Sequence, residues 1–144
     1  MSFRTRVSTA IAAVSLGLAL AGPGGAAPAP HIVIPRLGLN MPLSRTLDGG
    51  PQVYYRDSDT LAIAAHRTTW SHPFNQLPAL RRGDVIRVGV RVFRVRRMRI
   101  VRPWSTWIVN YRGLVLSTCH PAGSDAYRYV VFAVETARHD GSAG

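Results

Sequence analysis

DVIRVGV at Asp84 to Val90, running directly into RVFRVRRMRIV at Arg91 to Val101, sets the architecture of this chain. Valine and isoleucine dominate both runs, and β-branched side chains suit a pleated strand better than a helix. In the second run apolar residues alternate with arginine, the period-two signature of a strand with one face buried. Phe93 and Val95 point one way and Arg94 and Arg96 the other, but beyond Arg97 the apolar positions are Met98 and Ile100, so the parity has changed. One extra residue in a strand has this effect, and a bulge near Arg96-Arg97 is predicted. Arg94, Arg96, Arg97, Arg99 and Arg102 then form a basic stripe on one outward face.

Further β-prone runs extend to either side. His31 to Pro35, Leu61 to Ala65, Gly113 to Thr118 and Arg128 to Glu135 are apolar or alternating and separated by turn residues. Phe74 to Leu80, apolar at 74, 77 and 80, is spaced like a short helix, with Pro78 near its start or breaking it. The pattern predicts an all-β fold: a closed barrel of about eight strands with one or two short helices. A chain of 144 residues has room for one domain. It is placed at residues 31–138, after a leading segment 1–30 and before a disordered tail at 139–144.

In the leading segment Arg4 and Arg6 precede an apolar run from Val7 to Ala21, and small residues and prolines follow as far as Pro30. This reads as an export signal, with Ala19-Leu20-Ala21 as a cleavage pattern. The run is shorter than the roughly 20 residues that span a bilayer comfortably, so cleavage and retention as a signal anchor both stay open. Either way the domain is expected outside the cytoplasm, secreted or held at the outer face of the cell membrane. The chain carries 18 basic residues against 7 acidic ones, every basic one an arginine, for a net charge of +11. GC-rich coding accounts for arginine in place of lysine. A charge of this size also attracts anionic lipid or wall polymer, while export removes nucleic acid from the natural partners.

Exported cysteines are usually paired, yet this chain has only Cys119. It is a reactive nucleophile, half of an intermolecular bridge, or an inert buried residue. Thiol chemistry needs a sulfur, a group that moves protons, and a donor for the oxyanion of a tetrahedral intermediate. Cys119 ends the apolar run VLSTC and precedes the turn His120-Pro121-Ala122-Gly123. His66 ends the run Leu61 to Ala65 in the same way. Arg128 opens the strand after the cysteine loop, so a hairpin would return its guanidinium towards Cys119. His66, His72, Cys119 and His120 match no compact metal-ligand spacing, and no metal is expected.

The order strand-His, strand-Leu-x-Thr-Cys, then Arg at the start of the last strand resembles the sortase family over nearly all of residues 31–136. The phrases IPRLGLNMPL, AHRTT, PFNQL, RRGDVIRV, IVRPWSTWIV and STCHP fall in order, and several resemble class E sortases of actinobacteria. The resemblance implies a cysteine transpeptidase without cofactor. Cys119 would attack the Thr-Gly bond of an LPXTG- or LAXTG-like sorting signal and form a thioester. His66 would move the protons, and Arg128 would hold the substrate carbonyl and oxyanion. Thr118, Trp107 and His120 are candidate substrate-binding residues, although His120, next in sequence to the sulfur, is read first as stabilising its loop. Trp70, Trp104 and Trp107 are read as core or groove wall. The acceptor would be an amine on a peptidoglycan precursor or pilin. The Arg91 to Arg102 stripe is a candidate contact for an anionic membrane or wall polymer.

The chain departs from the family pattern in places. Tyr54 to Asp59 replaces a Gly-rich stretch, Ala65 stands where glycine commonly precedes the histidine, and the Pro103 to Gly113 loop is short. Two alternatives remain: the same thiol chemistry with water as acceptor, and a catalytically silent, exported basic binding module on the same fold.

Overall fold

A computed structural model describes residues 27–69 and 71–139. The expected export segment up to residue 26, Trp70 and the tail from 140 onward lie outside the described residues. The described residues form eight strands, β1 (His31–Ile34), β2 (Leu39–Pro42), β3 (Gln52–Arg56), β4 (Thr60–Ala64), β5 (Val85–Val88), β6 (Arg91–Val101), β7 (Gly113–His120) and β8 (Tyr127–Arg138). They form one sheet in the order β2-β1-β5-β6-β8-β7-β4-β3. All neighbours are antiparallel except β4 and β7, which run parallel.

The sheet curls but stays open, which corrects the expected closed barrel. The edge strands β2 and β3 share no ladder; a single bridge, Ser44 to Gln52, joins the segment after β2 to β3. Pro42 ends β2 and Pro51 precedes β3, and proline has no N–H to give to a continuing ladder. Among the described residues the helical elements are four 3-10 turns, at Pro35–Leu37, Leu47–Gly49, Leu77–Ala79 and Thr106–Asn110. Pro78 lies inside the third and confines it to one turn.

The stretch that opened the sequence reading folds as expected. β5 and β6 make a hairpin whose Val88 and Arg91 pair across Gly89 and Val90, and Gly89 takes the positive φ of 56° that such a turn needs. The register of β6 against β8 slips between Val95 and Arg97, which is the predicted bulge. A second slip between Val92 and Phe93 was not anticipated.

Period-two alternation sorts the side chains of β4, β7 and β8 onto two faces. Leu61, Ile63, Leu114, Leu116, Val131 and Ala133 face inward and join Ile32, Ile86, Phe93 and Phe74 in the main core. Ala62, Val115, Val130 and Phe132 face outward, where Ile108 and Val109 from the 3-10 turn at Thr106–Asn110 cover them. β7 is thus buried on both faces, which is why GLVLST reads as a nearly continuous apolar run. Each large side chain so buried contributes about 1.5–3 kcal/mol relative to exposure. Gly113 opens β7 at φ 134°, and a Cβ there would lie 2.2 Å from the Ala133 carbonyl oxygen, so the close approach of β8 requires glycine.

Candidate active site

The outward positions of the three strands lead to one place. On β7 they run Val115, Ser117, Cys119; on β8 they run Phe132, Val130, Arg128; on β4 they run Ala62, Ala64, and then His66 two residues past the strand. Cys119 and Arg128 are direct partners across the β7–β8 ladder. His66 is held beside Cys119 by two bonds that prolong the parallel pairing: the Ala65 N–H donates to the Ser117 carbonyl at 3.3 Å, and Thr118 Oγ1 donates to the Ala65 carbonyl at 2.8 Å. His66, Cys119 and Arg128 line one small cavity of about 90 Å³ with Leu47, Ala64, Ala65, Ser117 and Thr118.

Each of the three has its own support. His66 Nε2 lies 2.8 Å from Asp48 Oδ1, on the 3-10 turn before β3, and the carboxylate fixes the ring plane. Arg128 Nη1 donates to the carbonyls of Asp125 and Tyr127 at 2.9 and 3.0 Å, while its Nε and Nη2 make no hydrogen bond among the described residues. Arg67, next to His66, donates from Nη1 to the Cys119 carbonyl at 3.1 Å and meets His120 Nδ1 at 3.0 Å. Arginine only donates, so His120 Nδ1 accepts, which places the proton of the neutral ring on Nε2. Arg67 Nε is buried without a partner.

Two larger clefts flank the cavity. An apolar groove of about 300 Å³ continues from Ala64, Ser117 and Arg128 to Tyr54, Val101, Trp104, Thr106, Ile108 and Val109. Partial burial against this groove raises the Tyr54 phenol above its usual range. On the other side a polar cleft of about 380 Å³ is lined by His66, Arg67, Thr68, Thr69, Cys119, Gly123, Ser124 and Asp125. Cys119 and His66 therefore stand where an apolar and a polar approach meet. No group of three or more His, Cys, Asp or Glu is placed to hold a metal among the described residues.

Of the other sequence candidates, Thr118 faces inward and is buried, with its hydroxyl spent on Ala65. His120 also faces inward, towards Arg67 and Tyr129. Trp107 stacks on Phe132 at 6.0 Å and lines neither flanking cleft, whereas Trp104 lines the apolar groove. Asp48, Arg67 and Tyr54 were not singled out for a role by sequence. The adjacency of Arg67 to His66 was the one available signal.

Residues 32–136 match the sequence model of the sortase domain. The chain belongs to the sortase family. Sortases are cysteine transpeptidases, and the one cysteine of this sortase is the one in the cavity. Among solved structures it is similar to sortase E1 from Streptomyces coelicolor, determined with a tripeptide in the active site, at 21% identity and TM-score 0.70, covering 78% of this chain and 90% of that one. It is also similar to the SrtA sortase from Actinomyces oris, at 25% identity and TM-score 0.65 over 78% and 82% of the two chains. Sortase C-1 of the same organism matches at 22% and 0.67 over 78% and 74%. No protein of curated function matches the sequence.

Proposed function

We propose that this sortase cleaves the Thr-Gly bond of an LPXTG- or LAXTG-like sorting signal and transfers the threonyl acyl group to a cell-wall or pilin amine at the outer face of the membrane. Cys119 Sγ, its proton passed to His66, attacks the threonine carbonyl carbon, and the oxygen gains negative charge beside Arg128, whose free Nε and Nη2 donate to it. The C–N bond breaks as His66 gives its proton to the departing glycine amine, leaving a thioester. An incoming amine attacks that thioester, loses its proton to His66 and releases the Cys119 sulfur. The apolar groove would take the peptide and the polar cleft the amine.

The observation that supports this reading is the convergence of Cys119, His66 and Arg128 on one cavity from three neighbouring strands. The test is mass spectrometry of the full chain mixed with sorting peptides and small amines. A thioester adduct on Cys119 that the amine resolves is the expected result, and resolution by water alone would make the enzyme a peptidase. Peptide binding with no adduct would instead mark a silent binding module and end the catalytic proposal.

A further inference from the structure

Arg94, Arg96, Arg97 and Arg99 on β6, with Arg102 just past it, gather exposed cations on one flank of the sheet. Arg36, Arg91, Arg112 and Arg138 pair with carboxylates, whereas Arg94, Arg96, Arg97, Arg99 and Arg102 make no ion pair among the described residues and are all exposed. Aromatic rings stand among them. The Arg97 guanidinium lies 4.9 Å above the Phe132 ring, on which Trp107 stacks, and that of Arg102 lies 5.9 Å above Trp104. Trp104 is 71% exposed and Trp107 48%, so two large indoles project into solvent beside unneutralised cations.

We infer that this flank of the sheet docks the folded domain onto an anionic lipid surface. Phosphate headgroups complement the arginines, and the headgroup boundary is where indole rings reside because one side of it is apolar and the other wet. A soluble polyanion would satisfy the cations but offer no apolar layer to Trp104 and Trp107. The apolar run at Val7 to Ala21 would bring the chain to such a surface in any case. Arg102 and Trp104 also rim the apolar groove, so docking would hold the groove mouth against the bilayer. This inference stands apart from the catalytic chemistry.

The chain's three tryptophans make the test specific, since none lies in the first 30 residues and insertion of that segment is therefore silent in tryptophan fluorescence. The full chain is mixed with vesicles of phosphatidylglycerol and phosphatidylcholine, or of phosphatidylcholine alone, with acyl chains brominated to quench indole. Quenching is expected with the anionic vesicles only, reduced by Trp104→Ala and relieved by salt. Each arginine near an anionic leaflet contributes roughly fivefold in partition, so the double variant R97E/R99E should need at least about 25-fold more lipid for the same quenching. Circular dichroism of that variant confirms that it folds. Equal quenching by both vesicle types would overturn the inference, as would unquenched Trp104 in protein that sediments with vesicles, or an unchanged R97E/R99E titration. Binding of polyphosphate or an oligonucleotide to this flank, with no quenching by vesicles, would reassign it to a soluble polymer and overturn the inference as well.

Discussion

On β4, β7 and β8 the inward face is apolar until Thr118 and His120 at the end of β7, while the outward face changes from covered apolar groups to reactive ones. Inward, Leu61, Ile63, Leu114, Leu116, Val131 and Ala133 are sealed in the core. Outward, Ala62, Val115 and Phe132 lie under a cover, and a few residues on the same rows end in His66, Cys119 and Arg128. The apolar face fixes the register, because a slip by one residue would bury every outward group and expose the core. Once the register is fixed, the reactive groups are placed by continuation of it. The division of labour predicts that inward substitutions cost stability and outward ones at the open end cost turnover.

The sharpest test is Cys119→Ala, which should abolish thioester formation, read by mass spectrometry, with no loss of thermal stability. Release of the glycine fragment by this variant would refute the nucleophile assignment. Next is Leu116→Ala, one residue before Ser117 on the opposite, inward face and completely buried, which should destabilise the fold by about 2–5 kcal/mol in denaturant titration. The fraction that stays folded should turn over normally. If turnover fell while stability held, the two faces would not be separable.

Arg128→Lys keeps the charge and loses the planar fork, and it should slow acyl transfer by about 10²- to 10³-fold while the melting temperature changes little. Wild-type turnover in this variant would reduce Arg128 to the loop tie seen in its bonds to Asp125 and Tyr127. The smallest effect is expected far from the site. The Glu135 carboxyl is held below its usual range by its hydrogen bond from Arg91, against partial burial and with help from Arg138. Its stabilisation is present above the ordinary glutamate pKa and is lost as pH falls through the lowered one. Glu135→Gln should therefore flatten the acid limb of stability in that window by no more than about 1 kcal/mol, with turnover at neutral pH unchanged.

Legibility in the sequence followed the same division. β1 and β4 to β8 announce themselves because packed interiors impose alternation or unbroken apolar runs. β2 and β3 do not: Leu39-Asn40-Met41-Pro42 carries a polar residue and a proline, and Gln52 to Arg56 sits between Gly50-Pro51 and Asp57-Ser58-Asp59. Closure was misjudged for a related reason, since local alternation carries no information on whether two edge strands meet. Order and spacing brought out Cys119, His66 and Arg128. Asp48 and Arg67 stayed hidden because their contacts span 18 and 52 residues and arise only from the tertiary arrangement. Trp107 was read as core or groove wall, and the 3-10 turn stacks it on Phe132.

The parallel pairing of β4 with β7 also has a consequence in time. Ala65 and Thr118, whose bond places His66 beside Cys119, are 53 residues apart in the chain. Closing so long a loop is opposed by chain entropy until the intervening strands have paired, and non-local β pairing of this kind sets folding on a slow scale. A nascent or unfolding chain therefore carries its thiol without the His66 imidazole beside it. Reactivity towards the thioester reaction should appear in a refolding experiment in step with the last, slowest recovery of native structure, and never before it.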